Sequence, residues 1–185
     1  LIMAVSLLLV IAYLAATIIA QQPCDSEDWR YYNGHCYWSS MYQSTTKDQT
    51  SNWFGAAREC LKKGAVLASI YTAAENDIVF KLNRCADSWT GLLMVDHRLK
   101  TQPDGWQWLD STNRNYVHWH SSYPHNSYYE CAYLNGGATN QGVWLNYRHC
   151  GNTRHYYVCK KQATGEAWTN TTQNFHKIRG PCENG

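Results

Sequence analysis

The sequence predicts an α+β domain held together by disulfides, and three of its features point there. Helical periodicity occurs twice before residue 85 and then disappears. The segments that follow are short, apolar and separated by stretches rich in Asn, Ser, Gly, Tyr and His. Eight cysteines, an even number, follow an uncharged apolar run. The 185 residues suffice for one well-buried domain and fall short of two ordinary ones.

The apolar run from Leu1 to Ala20 contains no charged residue and gives way at once to Gln21, Gln22, Pro23 and Cys24. Its length fits either the hydrophobic part of a secretory signal or a bilayer span. Ala20 is small, as signal peptidase requires, and the cysteine framework begins with no stalk before it. Residues 1–20 are therefore expected to be a signal peptide, with a signal anchor as the alternative because no Lys or Arg precedes the run. A membrane is expected as a partner only if this segment stays uncleaved. The cysteines then belong to an oxidising, extracellular compartment, and the protein is expected to be secreted. Zinc is the rival use of cysteine, but no Cys-x-x-Cys pair is present to nucleate a structural site. Asn170-Thr171-Thr172 is a glycosylation acceptor, which agrees with export.

The formal charge of +2 is close to balanced and leaves no nucleic-acid footprint. The chain carries 9 Trp and 14 Tyr against 3 Phe. Such rings serve a core and a wet recognition surface equally well, and most are expected to fill the core.

Taken in order, Tyr31-Tyr32-Asn33-Gly34-His35-Cys36-Tyr37 reads as a hairpin with Asn-Gly at its turn. From Asn52 to Lys63, the residues Trp53, Ala56, Ala57, Cys60 and Leu61 recur at helical spacing, and Gly64 supplies the stop. Residues 65–70 are short and apolar, a strand. Thr72-Ala73-Ala74-Glu75 is a capping box opening a second helix through Ile78, Val79 and Leu82. Strands are expected at Trp89–Leu93, Trp106–Leu109, Cys131–Leu134, Val143–Leu145 and Tyr156–Cys159. Residues 110–130 have little to make regular structure, and long irregular loops in compact domains are often functional.

This order of parts resembles the C-type lectin-like domain. Trp89-Thr90-Gly91-Leu92 is similar to that family's Trp-x-Gly-Leu strand, and Trp106-Gln107-Trp108-Leu109-Asp110-Ser111-Thr112 to its Trp-x-Trp-x-Asp-Gly-Ser/Thr segment. Tyr156-Tyr157-Val158-Cys159 is similar to its closing strand. The resemblance runs from about Cys24 to Lys161, so the domain is assigned to residues 21–161, with a tail over 162–185. It implies a two-part antiparallel sheet carrying a long loop. It also implies disulfides Cys60–Cys159, Cys131–Cys150 and Cys24–Cys36. Cys85 is left for Cys182, an intermolecular bond through either being the alternative. A bridge closing about 100 residues is worth roughly 4–5 kcal/mol in the chain-entropy model.

Many members of that family hold sugar hydroxyls on a calcium ion, which needs six to eight hard oxygens. The resemblance places these ligands in a Glu-Pro-Asn or Gln-Pro-Asp triplet, an acid near the third-strand cysteine and a Trp-Asn-Asp triplet. Gln102-Pro103-Asp104 is a decoy, because it precedes Trp106 instead of following Trp119. The aligned triplet is Tyr123-Pro124-His125, whose proline the resemblance implies is cis. Tyr129 stands at the acidic place with Glu130 beside it, and Leu145-Asn146-Tyr147 replaces Trp-Asn-Asp. Glu130 is the one carboxylate side chain from Ser111 through Gly165. One carboxylate and one amide do not cage a divalent ion, so no cofactor and no metal are expected.

Tyr-rich, Ser/Asn-rich loops on a rigid scaffold make recognition surfaces. The long-loop face, with Tyr123, Pro124, His125, Tyr129, Glu130, Asn146 and Tyr147, is therefore expected to bind a glycan or protein ligand without calcium. The bland reading has these rings packing the loop onto itself. His118-x-His120 is spaced for zinc, although solvated loop histidines are commoner. A calcium-dependent lectin with a degenerate site and a structural extracellular protein are the alternatives. No Gly-x-Ser-x-Gly elbow, His-Glu-x-x-His or phosphate loop is present, and the chain is not expected to be an enzyme.

Overall fold

The structure, a computed structural model, describes residues 23–42, 49–125, 128–146 and 148–165. The expected signal segment, the Asn170 acceptor, Cys182 and Tyr147 lie outside the described residues.

Strands β1 (Arg30–Tyr32) and β2 (His35–Ser39) form the hairpin. Asn33 and Gly34 both take positive φ, 45° and 80°, as a two-residue turn of the twisted hairpin type demands. Helix α1 spans Trp53–Lys62: Asn52 caps it by accepting the Gly55 N–H, and Trp53, Ala56 and Cys60 form its buried stripe. The two-residue β3 (Val66–Leu67) follows. The apolar run 65–70 is shorter as a strand than its composition predicts, because beyond Leu67 the chain changes partner. Ala68 donates its N–H to Val158 and its carbonyl accepts the Gly91 N–H, which ties two parts of the sheet together.

Helix α2 (Ala73–Leu82) starts at Thr72, whose hydroxyl accepts the Glu75 N–H. The second half of the expected capping box differs. Glu75 does not reach back to its cap residue: one oxygen accepts the Tyr71 N–H at 2.6 Å and the other the Tyr37 hydroxyl at 2.5 Å. A buried ion pair has recruited this carboxylate into the core.

The remaining strands are β4 (Ser88–Met94), β5 (Trp106–Trp108), β6 (Cys131–Leu134), β7 (Trp144–Leu145) and β8 (Tyr156–Gln162). The sheet runs β1-β2-β8-β4-β6-β7, with β3 on β8 and β5 on β4. Its pairs are antiparallel except β4–β8, where Ser88 and Trp89 face Tyr156 and Tyr157 in parallel. The sheet is thus mixed at this one seam, because β8 returns from the loop region in the direction of β4. Two helices on one mixed sheet make the α+β arrangement that the resemblance implies.

Most of the rings are core. The indole N–H groups of Trp53, Trp89, Trp106 and Trp144 find the Thr90, Ser51 and Lys100 carbonyls and the Asn76 Oδ1 respectively, so burying them costs no orphaned donor. Disulfides join Cys24 to Cys36, Cys60 to Cys159 and Cys131 to Cys150, and Cys85 is disulfide-bonded as well.

Candidate functional site

The long loop leaves β5 at Leu109 and runs extended. From residue 111 to 118 exposed and half-buried residues alternate, with Thr112, Arg114, Tyr116 and His118 turned inward. Two backbone hydrogen bonds then moor it to β7: Trp144 N–H to the His118 carbonyl at 2.8 Å, and His120 N–H to the Trp144 carbonyl at 3.2 Å. The Trp119 ring packs edge-on against Trp106 and Trp144, with centroids 5.0 and 5.8 Å apart, and Tyr116 meets Trp144 at 5.7 Å. Tyr116 and Trp119 thus pack the loop against the core. Burial raises the pKa of the Tyr116 phenol.

Past this anchor the loop turns outward. Tyr123 N–H bonds to the His120 carbonyl at 2.8 Å, and the Tyr123–Pro124 bond is cis. Asn146, fully buried, closes the turn: its Oδ1 accepts the His125 N–H at 2.7 Å, and its Nδ2 donates to the carbonyls of His125 (3.1 Å) and Tyr129 (3.4 Å). The amide that would have served as a metal ligand is committed to the loop backbone. Glu130, with a side chain 53 % exposed, lies 3.3 Å from His97 Nε2. The triplet Gln102-Pro103-Asp104 sits in the turn before β5, where Asp104 pairs with Arg114.

Of the residues expected to meet a ligand, Pro124 and Asn146 are buried and shape the loop. Tyr123 and Tyr129 are half-buried, while His125 and Glu130 are exposed. Rings cluster here: His120 on Tyr123 (5.6 Å), Tyr123 on His125 (5.8 Å) and Tyr129 on His149 (5.9 Å). His118 stacks instead on Tyr116, so the two histidines of the His-x-His segment engage different rings. Two more rings lie on the surface, and of these Phe54 went unnoticed in the sequence. Tyr128 is 95 % exposed with the Lys100 ammonium 5.5 Å above it, and Phe54 on α1 is 62 % exposed beside Gly151. An exposed Phe on the outer side of a helical pattern was the available signal for the second.

A second concentration of charge was also missed. The Lys160 ammonium is buried, 2.5 Å from Glu75 Oε1, bonded to Ser69 and 3.6 Å over the Tyr71 ring. Burial lowers its pKa, against the pull of the Glu75 carboxylate. Beside it Asp110 accepts from Ser69, Tyr71 and Thr112. Burial pushes that carboxyl up, but these donors outweigh it and hold its pKa below the ordinary value. This network flanks a shallow cleft of about 450 Å³ between His35, Tyr71, Thr112 and Gln162. The Lys160–Glu75 pair and the hydroxyl donors that satisfy Asp110 make it a brace between α2, β8 and the start of the loop. Its sequence signal was Lys160, which directly follows the Tyr156-Tyr157-Val158-Cys159 run of the closing strand.

The Lectin C-type domain family matches residues 49–161. Human C-type lectin domain family 4 member C is 32% identical over 134 residues, 69% of this chain and 55% of that protein. Mouse C-type lectin domain family 4 member G is 29% identical over 138 residues, 74% of this chain and 42% of its own length. The chain thus spans less than half of that mouse relative. Among solved structures, the C-type lectin domain of murine dendritic cell inhibitory receptor 2 in complex with N-glycan superposes with a TM-score of 0.59 at 26% identity, over 75% of this chain and 99% of that one. Herring type II antifreeze protein gives 0.62 at 28%, over 76% and 100%. Human lithostathine, at 0.59 and 22% identity over 74% and 98%, shares the fold.

Proposed function

The chain belongs to the C-type lectin domain family, and from that premise we propose that it is a secreted, non-enzymatic recognition module binding a carbohydrate or protein ligand on its long-loop face without calcium. The observation that carries this reading is the Asn146–His125 bond of 2.7 Å. The amide oxygen that a calcium site would need is buried and spent on the loop backbone, and the remaining carboxylate, Glu130, is paired with His97. Hard-ion coordination needs several anionic oxygens converging on one point, and these residues do not supply them. A surface of rings and hydroxyls on a rigid frame remains, suited to stacking and hydrogen bonding.

Export is supported by the disulfides, which persist in oxidising compartments. Among the described residues no helix is long and apolar enough to cross a membrane. The N-glycan bound by the murine receptor domain favours a carbohydrate ligand over a protein one.

The test is a glycan array probed with the disulfide-bonded protein in calcium and again in chelator, beside an array of extracellular proteins. The proposal expects binding of equal strength in both buffers. Binding that vanishes in chelator and returns with calcium would restore the calcium-dependent mechanism and remove this one.

A further inference from the structure

On the long-loop rim two imidazoles are held in a defined tautomer. His120 Nδ1 faces the Ser122 backbone N–H at 3.3 Å, and His149 Nδ1 faces that of Gly151 at 3.2 Å. A backbone N–H only donates, so each Nδ1 must offer its lone pair, and the proton of the neutral ring sits on Nε2. Both rings therefore present an N–H. A metal would require the opposite, an Nε2 lone pair. Among the described residues no group of three His, Cys, Asp or Glu stands ready to hold a metal ion.

These donors belong to one continuous rim. His120, Tyr123 and His125 follow each other ring to ring, Asn146 ties the His125 and Tyr129 backbones together, and the Tyr129 ring meets His149. Phe54 of α1 adjoins the His149 turn at Gly151, and Arg58, one helical turn further on, is exposed. From Ser111 through Gly165 the chain has five Lys or Arg and a single carboxylate, Glu130, which His97 engages. The rim thus offers aromatic faces, imidazole donors and almost no negative charge to repel an anion.

Resting on the calcium-free reading above, we infer that the ligand of this rim is an acidic glycan. Its carboxylate or sulfate oxygens accept from His120 and His149 Nε2–H, and its sugar rings lie against Tyr123, Tyr129 and Phe54. Bonds to a charged acceptor are stronger than those to a neutral hydroxyl, which sets the preference.

The test measures binding, in chelator, of a heparin-derived octasaccharide, sialyllactose, neutral lactose and a polyglutamate peptide. The sulfated and sialylated probes separate sulfate from carboxylate, and retention of either above lactose is the expected result. His149→Phe keeps a ring and loses the donor, and is expected to weaken binding on the order of tenfold, as loss of one charge-assisted bond does. His149→Gln keeps an N–H near the same place and is expected to retain most of the affinity. Lys62→Gln on the exposed side of α1 controls for diffuse attraction and should leave binding as it was. Lactose bound as well as the acidic glycans, preference for polyglutamate, no retention of either acidic glycan, or equal losses in Lys62→Gln and His149→Phe would each overturn the inference. Those four outcomes in chelator leave calcium-free recognition standing. Binding of any glycan that appears only with calcium defeats both.

Discussion

The Lys160 ammonium lies 2.5 Å from Glu75 Oε1, with 2% and 5% of the two side chains exposed. Strand β8 and helix α2 are joined there across 85 residues of sequence. Such a pair has surrendered its hydration, and its stability depends on both charges being present. Lys160→Met strands the Glu75 carboxylate among Tyr37 and Tyr71, and is expected to cost about 3–5 kcal/mol in denaturant unfolding. Adding Glu75→Gln removes the orphaned charge while keeping an acceptor for Tyr37, and should recover a large part of that loss. If the double variant is as unstable as the two single losses combined, the charge pair is not what holds these elements together.

His155 gives the fold an acid sensitivity. Its ring lies 4.5 Å from Trp89 and 4.8 Å from Tyr133, is 7% exposed, and its Nε2 is buried without a hydrogen-bond partner among the described residues. Burial lowers its pKa to about 4, a shift that Asp87 opposes and Arg148 reinforces. The unfolded imidazole, near 6.5, therefore takes up a proton at higher pH than the folded one. Between those values the unfolded state binds more protons, so stability is full above about 6.5 and falls as pH drops towards 4. The whole window is worth about 3 kcal/mol. His155→Phe keeps the aromatic packing without titrating. Its urea midpoint should depend less on pH between 6.5 and 4.5 than the parent's, and equal slopes would exclude His155 as the source.

Gly91 makes a tight backbone crossing. A Cβ there would stand 2.4 Å from the Leu67 carbonyl oxygen, where the Gly91 N–H also meets the Ala68 carbonyl at 2.9 Å. Backbone atoms pinned on both sides do not yield, so Gly91→Ala is expected to cost about 1–3 kcal/mol, towards the upper end. Gly64 is the contrast: its φ is +64°, but nothing lies within 4 Å of its Cβ position. Gly64→Ala should cost only about 1 kcal/mol, from backbone strain. A Gly91→Ala loss no larger than that of Gly64→Ala would contradict the crossing.

The elements legible in the sequence are those set by local chemistry. Asn33-Gly34 specifies its turn by positive φ, Asn52 and Thr72 specify helix starts by one accepted N–H, and Trp106-Gln107-Trp108 alternates as a half-buried strand must. The bounds were less legible where tertiary partners decide them: Val143 and Leu109 fall outside their strands, and residues 68–70 leave theirs. The site was legible as a loss of oxygen ligands, since counting carboxylates requires no coordinates. What Asn146 does instead was hidden, because an amide's partners depend on which loop folds over it. Lys160 and His155 were hidden for the same reason: Glu75 is 85 residues from Lys160, and Trp89 is 66 from His155.

Asn146 separates a dormant calcium site from a brace. Its Nδ2 points at two carbonyls and its Oδ1 at an N–H, so the amide is matched to the loop in both directions. Asn146→Ala leaves the His125 N–H and both carbonyls without this partner, and is expected to cost about 1–3 kcal/mol. Asn146→Asp keeps the bond to His125 but turns a carboxylate oxygen towards the His125 and Tyr129 carbonyls, where like partial charges repel. It should be the more damaging of the two. A dormant calcium site would predict the reverse, because the substitution adds the anionic ligand that calcium demands. Thermal unfolding of both variants in several millimolar calcium and in chelator decides between them. With Asn146 as a brace, calcium raises neither melting temperature and Asp is less stable than Ala. A calcium-dependent rise in the Asn146→Asp variant would show that the ion site persists beneath the aromatic surface.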